Sequence, residues 1–164
     1  MKGEVSKIRQ DSSYVTERFR YIILATQRLG SRVLQEEYKK IGISSSQSEV
    51  IQVLKEWEPI SLKKLGELLL CEEGSPSRLI DRMVKAGFIN KYRSEEDSRY
   101  VLLELSEKGR EIYEEIVHID QEFYKKLENI FSEDEMKQVN QLLSKFLMRY
   151  PVCQTLRDRN FLEK

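Results

Sequence analysis

The chain has 164 residues, with 28 lysines and arginines balanced by 28 aspartates and glutamates. A net charge of zero gives no bulk attraction to nucleic acid or anionic membrane, so any affinity for a polyanion has to be built locally. With 40% hydrophobic and 34% charged residues the composition is that of a folded domain with a sizeable core, not of a disordered chain.

The opening MKGEVSKIRQ lacks the apolar stretch of a secretory signal, and no later run approaches the about 20 apolar residues that cross a bilayer. A cytoplasmic protein without membrane partners is expected. Cys71 and Cys153 lie far apart and belong to no CxxC pair or Cys/His cluster, which predicts neither a disulfide framework nor a metal site. The single histidine, His118, has no ligand-type companion. No Gly-rich phosphate loop, His-Glu-x-x-His or nucleophile elbow occurs, so an enzyme is not expected and no cofactor is implied.

In chain order, Val15, Phe19, Ile22, Thr26, Leu29 and Val33 repeat at four and three residues, which keeps them on one face of a long helix. Ser44 followed by Gln47 is a capping box, and Val50, Ile51, Leu54 and Trp57 mark the buried side of a helix ending before Pro59. Ser61 caps the next helix, whose apolar face is Leu62, Leu65, Leu68 and Leu69 and which the polar CEEG segment breaks. Gly74 and Ser75 then occupy a cap region, with Pro76 in the first turn, where its missing N–H costs nothing. Leu79, Ile80 and Met83 point inward from this helix, leaving Ser75, Ser77, Arg78 and Arg82 towards solvent. Gly87 is placed to close it in the left-handed conformation, with Phe88 packing behind.

The period then changes to two. Val101, Leu103 and Leu105 alternate as one face of a strand, Ile89 to Arg93 forms its partner, and SEEDS makes the turn. A two-stranded hairpin is marginal alone, so it must lean on the helices and leave its tip projecting. Two further apolar series follow: Ile112, Ile116, Ile119, Phe123 and Ile130, then Met136, Val139, Leu143, Phe146 and Tyr150, with Pro151 as the stop. Such long terminal helices suit a subunit interface, although periodicity alone equally allows packing within one chain.

The expected architecture is therefore mainly α with a small β-hairpin, divided into an N-terminal helix (1–42), a central lobe (43–106) and C-terminal helices with a tail (107–164). The central order of helix, turn, helix, strand, polar loop and strand sets one helix to enter a DNA major groove and one loop to reach the adjacent minor groove.

The run LGELL, SRLIDRM, GFI, then Asp97, Arg99 and VLLELSEKGREIY is similar to the multiple antibiotic resistance regulator (MarR) family of winged-helix transcription factors. The resemblance is continuous over residues 43 to 113. It implies a winged helix-turn-helix lobe between N- and C-terminal dimerisation helices. It also implies a DNA-binding transcriptional regulator, usually a repressor, that reads a palindromic operator as a homodimer, with a small aromatic effector as one mode of control. In that family an Asp-x-Arg in the wing places the arginine in the minor groove, with the aspartate holding it; here these are Asp97 and Arg99.

The physics of that pair stands without the family, because a planar, weakly hydrated guanidinium suits the enhanced negative potential of a narrow minor groove. The bland alternative is a turn with a surface ion pair. Ser75, Ser77 and Arg78 at the start of the fourth helix are candidates for base or phosphate contacts. Arg82 divides between DNA and a structural pair with Asp81 or another carboxylate, and Lys91 and Arg93 between phosphate contacts and a solvated strand face. From Gly74 to Tyr100 six cations face four anions, whereas residues 101 to 164 carry ten against thirteen. Glu72, Glu73, Glu95 and Glu96 depart from the family habit in this region, and binding that weakens steeply with salt is expected.

Tyr14, Tyr21, Tyr38, Trp57 and Tyr113 are candidates to line an effector site, with plain core packing as the commoner role of such aromatics. Peroxide-sensing relatives keep a reactive cysteine in the first long helix, where this chain has none; Cys71, beside two glutamates, reads as an inert thiol. The rival to a DNA-binding regulator is a dimeric module that binds a small molecule or protein without sequence-specific DNA contact.

Overall fold

The computed structural model describes residues 12–70, 76–94 and 101–163. Seven helices and three strands run along them: α1 (Ser12–Lys40), α2 (Ser45–Trp57), β1 (Ile60–Ser61), α3 (Leu62–Leu68), α4 (Pro76–Lys85), β2 (Ile89–Arg93), β3 (Val101–Leu105), α5 (Glu107–Glu128), α6 (Glu133–Leu147) and α7 (Val152–Asp158). Among the described residues no helix is long and apolar enough to cross a membrane.

Local signals set most of the boundaries. Ser44 and Gln47 form the expected capping box at α2, and Ser61 accepts the Lys64 amide at the start of α3. Pro76 opens α4, and Gly87 ends it with φ at +79°, a conformation that a Cβ would disfavour. Phe88 returns its amide to the Met83 carbonyl to close the turn.

The core lies in the middle of the chain. Val50, Ile51, Val53 and Leu54 of α2, Leu65 and Leu68 of α3, Leu79, Ile80 and Met83 of α4, Leu103 and Leu105 of β3, and Ile116 of α5 are all withdrawn from water. Fully burying each such side chain contributes on the order of 1.5–3 kcal/mol, so this set orients the helices far more firmly than any surface pair.

Three features differ from the sequence expectation. The sheet has three strands, in the order β1-β3-β2, all antiparallel, with Ile60 opposite Leu103 and Ser61 opposite Leu102. A two-residue strand shows no period, so β1 is invisible to pattern, yet it makes β3 central and seats the hairpin on the helices. The last long helix also stops at Leu147, before Pro151, and Pro151 instead starts α7. Likewise α5 ends at Glu128, leaving Ile130 outside it; Ser132 and Glu135 then cap α6 reciprocally.

Two contacts fix α5 to the rest. At its start, Ser106 donates to the Gly87 carbonyl and accepts the Gly109 amide, the Ser106 amide bonds the Phe88 carbonyl, and Lys108 donates to the Ala86 carbonyl. Gly109 is required there, because a Cβ on it would lie 2.2 Å from the Phe88 carbonyl oxygen. Further along, Tyr38 of α1 donates to the Asp120 carboxylate at 2.5 Å, and both residues are buried. Burial raises the Asp120 pKa, partly opposed by the Tyr38 hydroxyl, and the same burial and bond push the Tyr38 hydroxyl well above its ordinary value.

Gly109→Ala should lower the thermal transition by the equivalent of about 1–3 kcal/mol despite the better helix propensity of alanine, read by circular dichroism; an unchanged or higher transition contradicts the close approach. Since the folded pKa of Asp120 lies above its unfolded value, its contribution is complete below the ordinary aspartate range and is lost as pH rises through the folded value. Asp120→Asn, which keeps an acceptor for Tyr38, should therefore flatten the fall in urea midpoint as pH rises above the ordinary aspartate range. An equally steep fall in the variant would assign it to other groups.

Candidate nucleic-acid interface

Helix α4 has two unlike sides. Leu79, Ile80 and Met83 are shut into the core, while Arg78, Asp81, Arg82 and Lys85 face solvent. Arg78 and Arg82 stand four residues apart and so share a helical face one turn apart. Among the described residues no ion pair engages either guanidinium. Asp81, weighed from the sequence as a partner for Arg82, instead meets Lys91 of β2 at 3.3 Å. Both side chains of that pair are well exposed, so it is worth about 0–1 kcal/mol and leaves Lys91 able to exchange its carboxylate for a phosphate.

The wing strands add a second edge. Ile89 at the root of β2 is buried, whereas Lys91 and Arg93, on the same side of the strand by alternation, are exposed further out beside α4. On the opposite side Asn90 and Tyr92 both donate to Glu104 of β3, at 3.3 Å and 3.2 Å, which holds the hairpin in register away from the cationic edge. Asn90 lies directly across from Glu104, a pairing that the strand register dictates and that residue type alone does not suggest. Gly66 of α3 leaves room for Pro76, whose ring a Cβ would approach to 3.2 Å, so α3 and the first turn of α4 lie close together.

Of the residues singled out in the sequence, Ser77, Arg78, Arg82, Lys91 and Arg93 come together on α4 and the adjoining strand. Ser75, Asp97, Arg99 and Cys71 lie outside the described residues. The aromatic candidates are not brought together. Tyr38 is in the core against Asp120. Tyr14 and Tyr21 line a groove along α1, with the Arg20 guanidinium 4.3 Å from the Tyr21 ring centre. Trp57 lines a cleft of about 520 Å³ with Lys64 and residues of α7, and Tyr113 another of about 400 Å³ with Gln52, Lys55 and Phe161. His118 sits on the surface of α5 beside Glu122 and Lys126.

Residues 43–101 match the model of the MarR family. The organic hydroperoxide resistance transcriptional regulator of Bacillus subtilis (strain 168) is 37% identical over 93 residues, which are 54% of this chain. The aligned part spans 63% of that regulator's length. The HTH-type transcriptional regulator MgrA of Staphylococcus aureus is 28% identical over 138 residues, covering 84% of this chain and 92% of that one. Among solved structures, a mutant MarR from E. coli in complex with operator DNA superposes with a TM-score of 0.73 at 24% identity, over 84% of this chain and 99% of the other, and so shares the fold. The central lobe, residues 43–101, is therefore a MarR-family domain by sequence, and over most of its length the chain shares the fold of a MarR protein.

Proposed function

We propose that the protein is a transcriptional regulator of the cytoplasm that binds a palindromic operator in double-stranded DNA as a homodimer, acts as a repressor and catalyses no reaction. The observation that carries this is α4, a ten-residue helix with one side locked in the core and the other presenting two guanidiniums one turn apart. Its dimensions suit a major groove about 12 Å wide, in which arginine pairs bidentately with guanine. Ser77, with Ser75 just before Pro76 in sequence, is assigned to bases or phosphates at its leading end, Lys91 and Arg93 to phosphates, and Asp97 and Arg99 to the minor groove. A chain of zero net charge binds DNA through this local surface alone, so counterion release should dominate its affinity.

The homodimer is supported by what a single chain leaves uncovered. Val15, Phe19, Ile22 and Leu29 of α1 and Val139, Leu142 and Phe146 of α6 are each at least half exposed, and α6 buries no residue at all. Apolar stripes of that length on a lone chain mark an interface, and a two-fold dimer presents two copies of α4 to a two-fold site.

Fluorescence polarisation against the DNA upstream of the gene should show saturable binding that falls steeply with salt. Arg78→Ala should cost about 1–3 kcal/mol of discrimination between operator and random duplex with the thermal transition unchanged; an unaltered specificity ratio removes Arg78 from base reading. Phe146→Glu should convert the dimer into a 19.5 kDa species by light scattering and abolish tight operator binding, whereas a dimer that survives it places the interface elsewhere.

A further inference from the structure

The C-terminal segment does not end at the dimer helices. It turns back at Pro151, and α7 lies along the outside of α3. Thr155 donates its hydroxyl to the Glu67 carbonyl at 3.0 Å, and Asp158 pairs with Lys64 at 3.1 Å. Just beyond α7, Arg159 reaches deeper. Its guanidinium meets the Glu49 carboxylate of α2 at 2.7 Å and the Leu68 carbonyl at 3.4 Å, and both charged side chains are nearly buried.

Glu49 has a second task. The same Oε1 atom accepts the Leu70 backbone amide at 2.8 Å. Leu68 and Leu70 flank Leu69, the C-cap of α3, so the carbonyl and the amide held there belong to the start of the turn that leads to α4. A helix end leaves its last carbonyls without helical partners, and in this chain one of them is held by a residue 91 positions away.

We propose that Arg159 is a positioning residue for DNA reading: through Glu49 it fixes the C-terminal end of α3, and the C-terminal segment thereby acts as a strap that sets the pose of α4. The inference rests on the function proposed above for its consequence at DNA, but the strap itself is a property of the free protein. A nearly buried guanidinium–carboxylate pair suits this task, because the loss of either member leaves the other charge stranded. Among the described residues the bonds of the strap run to α2 and α3, behind α4.

Trp57, the single tryptophan, reports on docking, because it shares its cleft with Gln154, Arg157, Asp158 and Asn160. Three readouts on the full chain test the inference: Trp57 emission, hydrogen exchange at the Leu70 amide, and operator polarisation, for Arg159→Met, Arg159→Lys and the milder Thr155→Val. Arg159→Met should shift Trp57 emission to the red, speed Leu70 exchange about tenfold and weaken operator binding about tenfold, with dimer mass unchanged. Arg159→Lys, which keeps the charge, should restore most of all three. A folded Arg159→Met with wild-type Leu70 exchange or wild-type affinity overturns the inference, as does an Arg159→Lys no better than methionine. If Arg159→Met does not fold, Thr155→Val should show the same changes at smaller amplitude, and unaltered Leu70 exchange there overturns it equally. Wild-type protein that binds no DNA at low salt would refute the proposed function, while Leu70 exchange still judges the strap.

Discussion

The absence of a side chain at Gly109 holds this molecule's parts in register. Where a Cβ would stand, the Phe88 carbonyl oxygen is only 2.2 Å away, so the first turn of α5 is pressed against the end of α4. Ser106 fills the junction with three hydrogen bonds, one from its amide to Phe88 and two through its hydroxyl, to the Gly87 carbonyl and from the Gly109 amide. Lys108 adds a bond to Ala86 and lies 4.5 Å from the Phe88 ring centre. Glu58 completes the joint from the other side, accepting the Leu105 amide and pairing with Arg110. The helix that would read DNA and α5, the helix that leads on to α6, therefore meet at one packed corner. Close packing resists continuous deformation, so the poses of α5 and α4 are coupled through this corner.

Charge is handled by position, not by quantity. Within the central lobe the carboxylates of the described residues are mostly engaged: Asp81 by Lys91, Glu104 by Asn90 and Tyr92, Glu58 by Arg110 and Leu105, Glu49 by Arg159 and Leu70. What remains outward on α4 is cationic at Arg78, Arg82 and Lys85. A chain with no net charge can in this way present a positive edge without a positive whole, and local placement decides which face meets a polyanion.

Much of this was legible in the sequence because it is written in short range. A capping serine three residues before a glutamine, a proline in a first turn, a glycine forced to positive φ and a change of period from 3.6 to 2 each act within a few residues, and each stands where expected. What escaped acts at long range or has no period. Two residues, Ile60 and Ser61, make the third strand only because β3 comes back beside them. Tyr38 stood open between core packing and an effector site, and the carboxylate that claims its hydroxyl is 82 residues away. Asp81 had an arginine next to it in the sequence, yet the hairpin brings Lys91 to it instead. Proline at 151 read as a stop, yet it starts a seven-residue helix folded back on α3, which depends on Glu49, Lys64 and the Glu67 and Leu68 carbonyls far upstream.

The claim at the centre is that this corner, doubled by a two-fold axis, sets two copies of α4 at a spacing a duplex can accept. Hydroxyl-radical footprinting of the bound operator measures that spacing directly. The account predicts two symmetric protected segments on one face of the duplex, centred about one helical turn, 10–10.5 base pairs, apart or a whole multiple of it. A single asymmetric protected patch, or two patches on opposite faces of the helix, would contradict it.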